Sequence, residues 1–246
     1  MPISSDKQGR FIRELQHAAN KHALGAVDII FSDHWHQYQQ SIKVGRRGVF
    51  FAPPHFSAWA INKHQFNPLV RLYEPLSYAI VTKKSEPHFF ELNDLINSNI
   101  CTHKPLHIDY LLTSSVFKNR YGRVNIQFVE SVLTEMLNKE TTCNAFTTSN
   151  NVIQRWIKQG SDEYIRLYQG KTYNNYSFVA HPSINAATLS KLQEFLLLEE
   201  TQRIFRPIYE LYANDLKLIK SSAEDYPINY TDNLANHWGF NKNTQQ

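Results

Sequence analysis

Histidines, hydroxyls and amides stand directly after several apolar runs of this chain, where loops on a rigid scaffold carry function. Pro54-His55-Phe56 follows the apolar run 48–52, and His55 and Phe56 are expected to line a cleft. Thr147, Thr148 and Ser149 end another run, and their hydroxyls either bind a ligand or cap the helical stretch 152–157. Tyr173-Asn174-Asn175 precedes a further strand and either touches the ligand or forms a hinge. His103 and His107 are four apart, the spacing at which a helix brings two imidazoles to one metal ion. Pro105 between them implies a loop, either facing a ligand or uninvolved at the surface. In Asp33-His34-Trp35-His36 the two histidines are two apart, about 200° around a helix, so they chelate together only on a strand. No metal site is assigned.

Catalysis finds no support. The chain has no G-x-S-x-G elbow, no H-E-x-x-H and no C-x-x-C. Only 8 of 246 residues are glycine, where an average composition gives roughly 17. Neither a dinucleotide fingerprint nor a P-loop can be written from them, so no nucleotide cofactor is expected. Gly45-Arg46-Arg47-Gly48 has the letters of the RNA-binding KH loop but runs straight into an apolar strand. Lys and Arg exceed Asp and Glu by 26 to 22 and are scattered, which disfavours nucleic acid as a partner. No apolar run reaches the roughly 18 residues of a membrane span, and residues 1–7 lack a signal-peptide core. The expected protein is therefore no enzyme, carries no cofactor and has no membrane span in this chain.

The elements that position these groups alternate between helix and strand. Phe11, Ile12, Leu15, Ala18 and Ala19 follow a helical period. Residues 27–31 read as a strand, 33–44 as helical and 48–52 as a second strand, with a short helix near 56–61. Strands at 69–72 and 77–82 follow. A polar, proline-kinked stretch at 83–87 reads as a lobe connection. Beyond it come strands near 99–102, 124–128, 143–147 and 164–168. Helices at 109–117, 132–137 and 152–157 lie between them. A strand at 176–180 leads to helices marked by Leu189–Leu198 and by Phe205–Tyr212, where Pro207 suits only a helix start. After residue 220 no period remains. This order implies two successive α/β units, each with a mostly parallel sheet. The first comprises 1–82 plus 177–246, and the second 83–176.

Several segments are similar to the phosphate, phosphite and phosphonate-binding proteins of ABC importers. Gly48-Val-Phe-Phe-Ala-Pro-Pro-His-Phe-Ser-Ala-Trp59 and Asn67-Pro-Leu-Val-Arg-Leu72 resemble the family's buried strand and its P-L-A-R-L. Tyr78–Pro87 and Glu91-Leu-Asn-Asp-Leu95 resemble its crossing strand and S-L-x-D-L. His103–Leu112 stands where the family carries S-T-S-G-Y-L, and Tyr176–Pro182 and the helix 189–198 also fit. The likeness spans most of residues 6–205.

The resemblance implies a two-lobed type 2 periplasmic-binding-protein fold with two crossing strands and a ligand held by hinge closure. It also implies that Trp35 supplies an aromatic wall of the pocket. Two departures stand out. Aligning Tyr110-Leu111-Leu112 with the family's Y-L-L puts Leu106, His107 and Ile108 where hydroxyls grip phosphate, and Asp109 where a glycine stands. A carboxylate there repels a phosphonate, so the family's mode of phosphonate binding is not expected. The first strand of lobe 1 is largely absent, with only Pro2-Ile3-Ser4 before the first helix. In this fold Cys101 and Cys143 fall on neighbouring strands, where a disulfide is possible but two buried thiols are the preferred expectation. The expected function is an extracytoplasmic solute-binding protein closing over a small polar or oxyanion ligand for an ABC importer. The alternative is a ligand-sensing input domain of the same fold attached to a membrane sensor.

Overall fold

The computed structural model describes residues 5–25, 28, 30, 35–43, 48–85, 88–103, 107–118, 124–159, 164–210 and 212–228. In chain order they begin with α1 (Ser5–Lys21), α2 (Trp35–Lys43), β1 (Val49–Ala52), α3 (Pro54–His64), β2 (Asn67–Leu72) and β3 (Leu76–Lys83). A 3-10 turn at Leu92–Leu95 leads to β4 (Asn99–Thr102), α4 (Ile108–Lys118), β5 (Asn125–Phe128), α5 (Val132–Leu137) and β6 (Ala145–Ser149). Then follow α6 (Asn150–Lys158), β7 (Tyr164–Tyr173), β8 (Ser177–Ala180), α7 (Ala186–Leu197), α8 (Glu199–Tyr209) and β9 (Leu218–Lys220). The expected strand at 27–31 and the expected shortfall at 2–4 lie largely outside the described residues.

The chain divides into two compact units, Met1–Pro75 with Asn174–Gln246, and Leu76–Tyr173. Sequence order alone assigns residues 77–82 to the first unit. Pairing decides otherwise, because β3 bonds to β6 on one side and β7 on the other.

In the first unit the sheet order is β1-β8-β2-β9, and every described pairing is antiparallel. This corrects the expectation of a mostly parallel sheet. β1 and β2, joined by α3, do run the same way, as strand–helix–strand alternation requires. They are not neighbours, because β8 from the far end of the chain lies between them and runs opposite to both. α3 starts with Pro54 in its first turn and ends at Gln65, whose φ of 57° is left-handed. Its residues from Pro54 to Ile61 are all buried, as in a helix enclosed on every side. Phe56, Trp59, Ile42, Phe66, Val179 and Tyr226 form the core around it. On α1, Phe11, Leu15, Ala18 and Ala19 are buried at helical spacing, and Phe11 packs edge-on to Phe205 of α8 at 5.1 Å. Pro207 sits within the last turns of α8, not at a helix start. It forgoes one backbone hydrogen bond, while Phe205, Ile208 and Tyr209 bury the apolar face that holds the helix down.

The second unit has the order β5-β4-β6-β3-β7. β4 is parallel to β5 and β6, as expected for strands joined through α4 and α5. β3 is antiparallel to both its neighbours, so this sheet is mixed. Residues Leu76 to Thr82 are all buried, which requires cover on both faces of the sheet. One face packs Val81, Cys101 and Phe146 against Val132, Met136, Ile153 and Trp156. The other packs Ile80, Ile100 and Ala145 against Leu95 and Phe117.

Cys101 and Cys143 form a disulfide with their Cα atoms 5.7 Å apart, which corrects the preferred expectation of two free thiols. The register that aligns the adjacent strands β4 and β6 brings the two sulfurs together. α4 also comes close to β7 at Gly170, where a Cβ would lie 3.0 Å from the Tyr78 carbonyl oxygen and 3.1 Å from Leu112.

Two stability effects are expected. The disulfide closes a loop of 42 residues, so replacing both cysteines with alanine should lower unfolding free energy by about 4 kcal/mol in the chain-entropy model. Denaturant unfolding of the variant under non-reducing conditions measures it, and an unchanged midpoint contradicts it. Gly170→Ala should cost about 1–3 kcal/mol through overpacking against backbone, read from the same titration.

Candidate functional site

The start of α4 gathers the most unusual polar group of the second unit. Asp109 is the second residue of that helix and is 2 % exposed. Its Oδ1 accepts the Tyr110 backbone N–H at 3.0 Å, and its Oδ2 accepts the His103 N–H at 3.3 Å and contacts the His103 ring Nδ1. A buried carboxylate is tolerated only when paired and hydrogen-bonded, and His103, at the end of β4, supplies the pairing. His107 stacks on His103 with ring centroids 5.1 Å apart and planes 25° from parallel. Two imidazoles therefore lie over one carboxylate, although both precede α4, which begins at Ile108.

The first turn of α4 is tied to the sheet by hydroxyls. Thr113 Oγ1 is hydrogen-bonded to the Asp109 carbonyl at 2.8 Å and to Thr147 Oγ1 on β6 at 2.7 Å. Thr113 and Thr147 are both fully buried. Thr102, the last residue of β4, and Thr148 are fully buried too, and their Oγ1 atoms have no hydrogen-bond partner among the described residues. Such a hydroxyl costs about 1–3 kcal/mol when left unanswered. Ser149 is the N-cap of α6 and accepts the Val152 N–H at 3.4 Å.

Of the residues singled out by sequence, the structure brings His103 and His107 together and sets Thr147 one hydrogen-bonded link from Asp109. Thr148 lies beside Thr147 on β6, and Ser149 is engaged as a cap. Tyr173 is half-buried at the end of β7, opposite Leu76. His55 and Phe56 are buried within the first unit, not presented as a wall. His55 is 3 % exposed, and Phe56 packs on Tyr38 and Trp59 at 5.3 and 6.3 Å. The cause is local: the stretch of α3 from Pro54 to Ile61 is buried throughout. Trp35 opens α2, but its side chain lies outside the described residues. Sequence reasoning treated Asp109 as a carboxylate opposing a phosphonate and passed over Thr102 and Thr113. Their signal was present as Asp109 and Thr113 one helical turn apart, facing a strand that ends in threonine.

The electrostatics follow from burial and pairing. Burial alone would lower the His103 pKa, but the hydrogen bond and charge of Asp109 more than offset it and raise the value above its ordinary 6.5. Burial would likewise raise Asp109, yet the His103 hydrogen bond and the charges of His103 and His107 hold it below its ordinary 3.8. The two ionised forms therefore support each other.

Comparisons with known proteins bear on the fold. No protein-family model matches the chain, and no curated protein matches it in sequence. Among solved structures it is similar to XAC2383 from Xanthomonas citri bound to ATP, with a TM-score of 0.71 at 10% identity over 91% of this chain and 92% of that one. PhnD1 from Prochlorococcus marinus in complex with methylphosphonate gives 0.67 at 12% identity over 91% of each chain. A binding protein component of an ABC phosphonate transporter from Pseudomonas aeruginosa gives 0.63 at 11%, over 91% of this chain and 80% of that one. The chain has the fold of periplasmic binding proteins. No helix among the described residues is long and apolar enough to cross a membrane.

The ion pair sets a pH dependence. His103, with a raised folded value, stabilises fully below about pH 6.5, and that contribution is lost as pH rises through the folded value. Asp109, with a lowered one, stabilises fully above about pH 3.8 and loses that contribution as pH falls through its folded value. The pair should contribute most between those limits. NMR titration of the His103 ring should give a midpoint above 6.5, falling below it in Asp109→Asn, where burial is left without the opposing charge. An unchanged midpoint in the variant would sink this assignment.

Proposed function

We propose that this chain is an extracytoplasmic solute-binding protein that takes a small polar ligand and presents it to an ABC importer without chemical change. The observation that carries the reading is the position of its polar groups. His103 and His107 follow β4, and Thr147 and Thr148 end β6, so all stand at the carboxyl ends of parallel strands. Ligands of open α/β sheets bind at that edge. The shared fold with binding proteins supports the same reading, as do two buried hydroxyls that a ligand or water would answer. The disulfide is consistent with an oxidising compartment outside the cytoplasm.

The ligand differs from the phosphonates named for the similar structures. The Asp109 carboxylate sits at the helix start beneath the imidazoles, and its charge offsets part of what the free N–H groups offer an anion such as a phosphonate. Neutral or zwitterionic solutes with hydrogen-bond donors suit the carboxylate and hydroxyls better. His103, His107, Thr147 and Thr148 are the proposed contacts, all of them in the second unit.

Thermal-shift and calorimetric screening of chelator-treated protein against amino acids, small organic acids, phosphate and phosphonates tests the reading. A true ligand at a hundred times its Kd adds about 2.7 kcal/mol, or roughly 5–10 °C in Tm for a chain of this size. Phosphonates should rank below amino acids. Absence of any stabilising solute in that panel counts against a binding function.

A further inference from the structure

We propose that His103, His107 and Asp109 form a binding site for a divalent transition-metal ion. The proposal stands apart from the solute reading, since it rests on donor geometry alone. One ligand atom from each of the three residues lies within 4.8 Å of the others, and no other such group of three His, Cys, Asp or Glu occurs among the described residues. Two imidazoles and one carboxylate are a three-ligand set that leaves a further position open to water or an anion. Imidazole donors select zinc, nickel or copper over magnesium or calcium, which prefer oxygen alone.

The surroundings prepare these donors. Asp109 is nearly inaccessible while His103 and His107 are half-buried, so the carboxylate forms the floor and the imidazoles the open side. The Asp109 carboxylate is oriented by backbone N–H groups of Tyr110 and His103, and its carbonyl is held by Thr113. Outer hydrogen bonds of this kind fix the direction of metal ligands. The hydrogen bond between the His103 ring Nδ1 and Asp109 is the contact that a metal ion would replace. Zinc–ligand bonds of about 2.0–2.2 Å require the three atoms to draw closer than the 4.8 Å within which they now lie. The positive end of α4 opposes a cation, and the Asp109 charge at that end offsets it.

Full-length protein stripped with chelator and titrated with Zn2+ against a chromophoric competitor tests the proposal, with Co2+ absorption as an independent readout. The expected result is one ion per chain, visible cobalt d–d bands, and an affinity reduced at least about tenfold in His107→Ala. His107→Gln, which keeps side-chain volume, provides the second variant, and the melting temperature of each variant reports folding. His103→Ala is avoided because it leaves the Asp109 charge unpaired. Failure of wild-type protein to bind Zn2+ or Co2+ overturns the site. So does equal affinity in a folded His107 variant, which would place the ion on other histidines. Solute stabilisation measured on metal-free protein is unaffected by either outcome.

Discussion

A carboxylate buried at the first turn of a helix must be answered in charge and in hydrogen bonds, and Asp109 organises its surroundings accordingly. His103 answers the charge from the end of β4, and the backbone of Tyr110 and His103 answers the lone pairs. Thr113, one turn further on, ties the same turn to Thr147 on β6. The helix is thus pinned to two adjacent parallel strands through polar contacts instead of apolar packing alone. A desolvated pair of this kind contributes little net stability over an apolar replacement, but leaving one partner alone is costly. Its value here lies in placing imidazoles and hydroxyls at one strand edge with defined directions.

The second constraint is how each sheet admits a strand from elsewhere in the chain. In the first unit β8 enters between β1 and β2, and in the second β3 lies between β6 and β7. Each inserted strand is buried on both faces, so each joins the halves of its own core. The disulfide adds a covalent link beside the second arrangement, on the β4 side of β6. Both devices hold together segments that are distant in sequence, where loop-closure entropy is greatest.

These features explain why the helix–strand alternation was legible while parts of the sheet were not. Apolar spacing identifies β1, β3, β6 and β8 as strands and α1, α3 and α7 as helices. A strand carries no mark of its neighbour, because pairing depends on backbone groups that all residues share. Hence the antiparallel first sheet and the place of β3 in the second unit were not readable. The same applies to the cysteines: two thiols forty-two residues apart meet only once the β4–β6 register is set. Phe56 shows a related ambiguity, since an aromatic after a buried strand suits a ligand wall or a core equally, and its packing on Tyr38 and Trp59 is set only in three dimensions.

What the amino-acid sequence determines by itself is local and compositional. Scarce glycine leaves no nucleotide-binding glycine motif in the letters, and alternating periods dictate an α/β chain. Proline at 105 argues against one helix carrying both His103 and His107, and α4 begins only at Ile108. His103 and His107 nevertheless converge in space, with ring centroids 5.1 Å apart. Tertiary structure alone decides that convergence, the burial of Asp109 beneath the two rings, and the hydroxyl link to Thr147. The physical reason is that charge pairing and desolvation depend on distance through space, which one-dimensional spacing does not contain.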